Sequence, residues 1–237
     1  MGNYDYSTIP IGYYDKIVEN GLKKNRGFQA TWHHYKFTKV KESMGDYNTH
    51  LDIACGPGTF IGKYLNDKSE GWDVSSEQIN YAKHEYDWNK ENFKIVDSGN
   101  GLKSNKKFDV VTILEFIEHI SPEQVKKSLD DVFSILNDGG KILLTTPNYS
   151  GLWLPIEKMV SLFGPVDYKD QHINRYTKKR VMAELPYDNI KVKKYINTGI
   201  FLSFFNRKLG LFVNDLIGKT FNNFFGYSLL IEIRKNS

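Results

Sequence analysis

The chain has 237 residues, 40% of them hydrophobic, which is enough for one domain with a substantial core; neither low-complexity runs nor a fixed-period repeat interrupts it. Its single cysteine, Cys55, excludes an intrachain disulfide framework and fits a reducing compartment. No apolar run approaches the ~20 residues of a membrane-spanning helix. The opening MGNYDYSTIPIGYYD has no secretory pattern and carries Tyr6 where myristoylation of Gly2 would favour Ser or Thr, so a cytoplasmic protein is expected.

The net charge of +4 hides an asymmetry: from Arg175 onward there are 12 Lys/Arg against 4 Asp/Glu, whereas the preceding residues are net acidic. That basic end is rich in phenylalanine (GIFLSFFNRKLGLFVNDLIGKTFNNFFGY). Two readings fit it: a packed subdomain with a solvated face, and a surface for anionic lipid or an anionic substrate.

In chain order, residues 1–46 read as a helical cap that includes TWHHYKFTKV. His33 and His34 are adjacent and cannot share one helical face, so at least one is expected in solvent. A first strand, THLDIA (49–54), ends in a Gly-rich turn, and TFIGKYL (59–65) opens a helix. GWDVS (71–75) is a second strand, with Ser75 or Ser76 placed to cap SEQINYAKHEY. NFKIVDS (92–98) and FDVVTIL (108–114) are the third and fourth strands. Ser121 and Pro122 form a strong helix start; that helix runs to Leu136, where Asn137, Asp138, Gly139 and Gly140 stop it before a fifth strand, KILLTTP (141–147). An insert follows over 148–172, then a helix YTKKRVMAEL (176–185), and strands NIKVKKYI (189–196) and YSLLIEIRK (227–235) close the chain around the Phe-rich segment. Strands alternating with helices at this spacing predict an α/β fold with an open, mostly parallel sheet. One domain is expected over 1–237, with a cofactor-binding core at 47–147 and an acceptor-side insert with the last strands at 148–237.

In LDIACGPGT, Asp52 ends the first strand, and Gly56 and Gly58 make a turn that lets backbone approach a ligand. Asp73 follows 15 residues after Gly58, at the end of the second strand, placed to accept hydrogen bonds from ribose hydroxyls; Asp97 ends the third strand, near where an adenine ring would lie. A nicotinamide-dinucleotide fingerprint needs a small residue at position 61, which is Ile here. An aspartate at the head of the turn repels phosphates and suits an ammonium and a sulfonium, which favours S-adenosylmethionine over NAD.

The ordered set D-I-A-C-G-P-G-T, W-D-V-S, V-D-S, F-D-V-V-T-I-L-E-F-I-E-H-I and L-N-D-G-G-K-I-L-L-T-T-P-N resembles class I S-adenosylmethionine-dependent methyltransferases over about residues 30–150, with Ala54 where many members have glycine. The resemblance implies a Rossmann-like, seven-stranded, mostly parallel sheet with an antiparallel C-terminal strand and helices on both faces. It also implies that backbone at Ala54, Gly56 and Gly58 cradles the methionine part. Asp73 and Val74 would serve the ribose, Asp97 and Ser98 the adenine, and Lys36 the methionine carboxylate, although a solvated lysine is the alternative. Leu114 and Glu115 would lie between the cofactor and the methyl acceptor.

The stretch LEFIEHI places Glu115, Glu118 and His119 at i, i+3 and i+4, on one face if 115–119 form a helical turn. Such a donor set suits Mg²⁺ or another divalent cation, and E-x-x-E-H resembles the metal site of ubiquinone-pathway O-methyltransferases and small-RNA 2′-O-methyltransferases. His172 is a further candidate ligand or base. Three readings stand open: a metal site, a metal-free general base at His119 or His172, and a structural helix cap. A lid carrying Trp153, Leu154, Met159 and Phe163 points to a small-molecule, saccharide or lipid-linked acceptor, or to peripheral membrane contact through 148–168 or 199–226; ordinary core packing is the plain alternative. Nucleic acid is disfavoured, since no dense arginine patch is present. A cofactor-binding scaffold without turnover and an NAD-dependent oxidoreductase are the competing functions.

Overall fold

The computed structural model describes residues 9–65, 67–97, 101–150, 153–154, 157, 172–185 and 187–236. Seven strands form one sheet in the order β3-β2-β1-β4-β5-β7-β6. They are β1 His50–Ile53, β2 Glu70–Asp73, β3 Phe93–Ile95, β4 Phe108–Leu114, β5 Leu136–Pro147, β6 Ile190–Tyr195 and β7 Ser228–Arg234. β7 runs antiparallel between β5 and β6, and the other neighbouring pairs are parallel. The order reverses between β1 and β4, so a crevice opens at the carboxyl ends of these two strands, where doubly wound sheets bind ligands.

Helices cover both faces. α1 (Tyr13–Lys24) and α2 (Phe28–Met44) pack on one side, where Trp32, Phe37, Val40 and Met44 join Val110 and Leu143 of the sheet. α3 (Ser76–Glu85) buries Ile79 and Ala82 beside β3, and its N-cap is Ser75, whose hydroxyl accepts from Gln78 N–H. α4 (Pro122–Ile135) has Ser121 as N-cap in a reciprocal capping box with Gln124, and Pro122 opens its first turn. Its apolar stripe, Val125, Leu129, Val132 and Ile135, is buried on the opposite face of the sheet. Each of those side chains contributes about 1.5–3 kcal/mol by leaving water. α5 (Lys178–Glu184) follows, capped by Thr177.

Four local features depart from expectation. Residues Phe60–Leu65 form a widened helical turn, and the helix-stopping residues 137–140 belong to β5 as an irregularity, where the β4–β5 register shifts between Phe108 and Val110 and Gly139 takes φ 74°. The Phe-rich segment is ordered as a short turn, Thr198–Phe204, followed by the 19-residue helix α6 (Arg207–Phe225). β6 and β7 therefore pair without a tight hairpin between them. His33 and His34 are both partly buried, His34 with Nδ1 3.0 Å from the Tyr64 hydroxyl, so the expectation of a solvated histidine fails. The shared cause is that α2 lies between the sheet and other helices, so it has little free face.

Candidate active site

A cavity of about 680 Å³ occupies the crevice, with Lys36, Asp52, Ala54, Gly56, Asp73, Val74, Leu114, Glu115, Glu118, His119 and His172 on its wall. Its two ends are built differently.

At the first end, parallel pairing sets Asp52 of β1 beside Thr112 of β4, and the Thr112 hydroxyl donates to the buried carboxylate at 2.5 Å. Burial pushes Asp52 up to about 7; Asp73 adds to the rise, while Thr112 and Lys36 oppose it. Ala54 and Gly56 then take left-handed backbone, φ 55° and 53°, which turns the chain sharply after the strand. A Cβ at Gly56 would meet nothing within 4 Å, so it is the backbone angle that favours glycine there. Gly58 shares the left-handed backbone, φ 73°, and is constrained by packing as well. A Cβ there would meet Phe93 at 2.8 Å and Ala82 at 3.1 Å, so this glycine permits close approach to β3 and α3 and does not line the cavity.

Asp73 accepts from the backbone N–H of Gly56 and of Ser75, both at 2.8 Å, one on each oxygen. Its carboxylate is thus fixed in direction, while burial raises its pKa. Val74 is 49% exposed on the wall, an apolar surface open to a flat ligand. Asp97 is exposed and off the wall, where Val96 and Leu102 lie instead; Ser98 falls outside the described residues. Ile61 is fully buried where a dinucleotide fingerprint needs a small residue.

The second end begins at Glu115, whose φ of 54° is left-handed and disfavoured for a residue with a side chain. Its N–H donates to Thr145 O at 3.0 Å, which anchors the turn to β5. The helical turn starts only at Ile117 and ends at His119. Glu115 is consequently not on one helical face with the other two. The donor atoms that converge, all within 4.8 Å of one another, belong to Glu118, His119 and His172. His172 arrives because Asn174 ties its segment to this turn: Asn174 N–H donates to Glu118 O at 2.9 Å, and its side-chain amide donates to Ile120 O. The His119 and His172 rings lie 5.0 Å apart.

Two residues with no signal of their own in the sequence orient His172. The Tyr149 hydroxyl donates to Glu157 Oε2 at 2.7 Å and lies 2.7 Å from His172 Nδ1. With its one proton committed to Glu157, Tyr149 accepts from Nδ1–H, which leaves the lone pair of a neutral His172 on Nε2. Burial works against ionisation of Glu157, yet the neighbouring imidazole of His172, with Nδ1 3.7 Å away, and the hydrogen bond from Tyr149 hold its pKa below the ordinary value.

Glu118 is fully buried; burial first, and then the charge of Glu115, push its carboxyl well above the carboxylate range. Both Glu118 oxygens and Oε1 of Glu115 lack a hydrogen bond of ordinary geometry among the described residues, although the Thr146 hydroxyl lies near enough to Glu118 to oppose part of the rise. Unpartnered buried carboxylate oxygens beside two imidazoles fit a divalent cation better than a helix cap. Ser121 already supplies the cap of α4.

α2 forms the roof with Gln29, Trp32, His33, Lys36 and Phe37 at helical spacing. Lys36 is only 3% exposed, which removes the solvated alternative. Burial lowers its pKa, against the pull of Glu115, Glu118 and Asp52. Trp32 packs on Trp153 at 5.1 Å, so the roof is largely aromatic. Leu154 is exposed, while Met159 and Phe163 lie outside the described residues.

The sequence profile of the family described as "Methyltransferase domain" matches residues 22–185. A sphingolipid C9-methyltransferase from Komagataella phaffii is 27% identical over 134 residues, 48% of this chain but only 25% of that enzyme's length. Among solved structures, an S-adenosylmethionine-dependent methyltransferase from Archaeoglobus fulgidus superposes with a TM-score of 0.59 at 18% identity, covering 85% of this chain and 92% of the other. Phosphoethanolamine N-methyltransferase 2 from Haemonchus contortus, in complex with S-adenosyl-L-methionine, gives 0.57 at 15% identity, covering 86% of this chain and 53% of that one.

Proposed function

The chain belongs to the methyltransferase-domain family and is an S-adenosylmethionine-dependent methyltransferase, and from that premise we propose that it methylates a hydroxyl oxygen of an acceptor with a substantial apolar part, assisted by a divalent cation. The observation that carries this reading is the convergence of Glu118, His119 and His172 within 4.8 Å, with both Glu118 oxygens buried and without a hydrogen bond of ordinary geometry among the described residues, at the acceptor end of the cavity.

When bound, S-adenosylmethionine supplies an electrophilic methyl group. In this reading Asp73 holds the ribose hydroxyls, Val74 packs beside them, and Asp52 with Lys36 faces the charged amino-acid part. Backbone at Ala54 and Gly56 lets that part approach closely. Glu118, His119 and His172 would hold the cation, with Glu115 adding negative charge nearby. A cation held there would supply Lewis acidity toward a hydroxyl. Displacement at a sulfonium needs an aligned nucleophile more than elaborate acid–base chemistry, so rigid placement of these groups is the protein's main contribution.

The aromatic roof formed by Phe28, Trp32, Phe37 and Trp153 supports an acceptor with an apolar body. The similarity to a sphingolipid methyltransferase agrees in substrate class, although this chain spans only a quarter of that enzyme. A second reading rests on the Glu157–Tyr149–His172 chain, which prepares His172 Nε2 to take a proton without a metal.

Transfer of a radiolabelled methyl group to lipid, saccharide and phenol fractions, with and without EDTA, tests the proposal. Label in the lipid fraction that EDTA removes and Mg²⁺ or Mn²⁺ restores is expected. Undiminished transfer in EDTA favours the His172 base, and label on nitrogen or carbon in the product overturns O-methylation.

A further inference from the structure

The surface beside the cavity mouth carries apolar side chains that nothing in the catalytic reading requires. Phe204, Phe205, Leu209, Phe212 and Leu216 are 49%, 84%, 47%, 63% and 65% exposed. The last three recur at positions 209, 212 and 216 of α6, a helical stripe facing solvent, and Phe204 and Phe205 extend it beyond the helix start. The same helix is anchored on its other side: Leu211 packs against the core, the buried Asn214 accepts from Asn197 N–H through Oδ1, and the exposed Asp215 accepts from the Tyr35 hydroxyl at 2.6 Å. Orientation of the stripe is therefore fixed by the fold.

Basic residues border this surface. The turn after α1 is bonded to the start of α6: Gly27 N–H donates to Ser203 O and Arg207 N–H donates to Asn25 O, both at 2.7 Å. The turn brings exposed Lys24 and Arg26 next to Phe204, Phe205 and exposed Lys208. These three cations make no ion pair among the described residues, and neither 20–27 nor 202–209 contains an acid; the acids flanking these segments in the chain include Glu19, which pairs with Lys23 and Lys63, and Asp215 on α6.

We propose that this surface docks on an anionic lipid bilayer, with Phe204, Phe205, Leu209, Phe212 and Leu216 entering the interface and Lys24, Arg26 and Lys208 meeting the headgroups. Charge selects this occupant. A two-fold contact between copies would bring the same uncompensated cations together, whereas an anionic surface neutralises them. The stripe also connects with the cavity: the ring of Phe28, part of its wall, stacks on Phe201 at 5.0 Å and on Phe204 at 5.4 Å. An acceptor's apolar tail would pass from bilayer to roof along these rings. Docking itself is independent of the metal and of the atom methylated.

Vesicle flotation tests it. The full chain is expected to float with phosphatidylglycerol-containing vesicles at low salt and to be released at high salt, with little binding to pure phosphatidylcholine. The pair Lys24→Glu and Arg26→Glu should weaken partitioning at least about tenfold, given roughly 1 kcal/mol per basic residue at such a surface. Phe205→Ser with Phe212→Ser should also weaken it about tenfold or more. Both variants should keep wild-type affinity for S-adenosylhomocysteine, which establishes that they fold. Absence of flotation on anionic vesicles, or flotation that neither pair alters, overturns the proposal. So does a wild-type dimer by sedimentation velocity that Phe205→Ser and Phe212→Ser convert to monomer without any vesicle binding, since the stripe is then a contact between copies.

Discussion

The two ends of the cavity make an instructive contrast. The cofactor end is assembled from residues at the tips of neighbouring strands, each held by partners that strand pairing delivers: Thr112 on Asp52, and the backbone N–H groups of Gly56 and Ser75 on Asp73. The proposed acceptor end is assembled from pieces far apart in the chain, a turn at 117–119, Tyr149, Glu157 and a segment beginning at His172, joined by a few hydrogen bonds. At the first end the carboxylates of Asp52 and Asp73 both accept hydrogen bonds from protein. At the second, buried carboxylate oxygens have no hydrogen bond of ordinary geometry among the described residues.

This contrast predicts separable defects. The largest is expected for Glu118→Ala, which should lower turnover about a thousandfold, within the range for losing a central catalytic group, while affinity for S-adenosylhomocysteine stays within about threefold in calorimetry; a matching loss of cofactor affinity would merge the two ends. Asp73→Ala should do the reverse, weakening S-adenosylhomocysteine about a hundredfold, the scale of charged hydrogen bonds lost together. Unchanged affinity would remove Asp73 from the ribose assignment.

Tyr149→Phe sharpens the comparison, because it leaves every proposed ligand in place and removes only the link between Glu157 and His172. Turnover and metal affinity should fall about 10- to 100-fold, as expected for a partner that orients a ligand, with cofactor affinity unchanged. A variant with wild-type metal affinity would show that the ring is oriented by other contacts.

The smallest effect concerns pH. The folded protein holds Asp52 up at about 7, above its ordinary 3.8. Such a raised carboxyl contributes stability that is complete below about pH 4 and is lost as pH rises toward 7, so the ligand-free protein should lose stability across that window. The cationic cofactor favours the ionised form, so its affinity should rise about tenfold between pH 6 and pH 8, following the ionised fraction of a group titrating near 7. Asp52→Asn should flatten that rise in a calorimetric pH series; an unaltered slope would assign it to another group.

How much of this is legible in the sequence follows the same division. Strand-end residues are close in sequence to the patterns that announce them, so Asp52, Gly56, Asp73 and Leu114 can be placed from the alternation of strands and turns, and they line the cavity. Spacing misleads at Glu115, because i, i+3, i+4 reasoning assumes helical backbone, and a left-handed residue bonded to Thr145 breaks the turn there. Gly58 reads as part of a ligand cradle in sequence, whereas in the fold Phe93 and Ala82 press against it. Tyr149 and Glu157 give no signal, since their role exists only once a distant histidine arrives beside the tyrosine hydroxyl. α6 is hidden by a Phe-, Asn- and Gly-rich composition with weak helix propensity; tertiary anchoring through Asn214 and Asp215 holds it.

Calorimetric titration of Mn²⁺ into the S-adenosylhomocysteine complex tests the central claim most directly, with wild-type protein and Glu118→Gln compared side by side. One saturable site in the wild-type protein, abolished in Glu118→Gln while cofactor binding persists, is the predicted result. No binding to the wild-type protein, or equal binding to both, would contradict it.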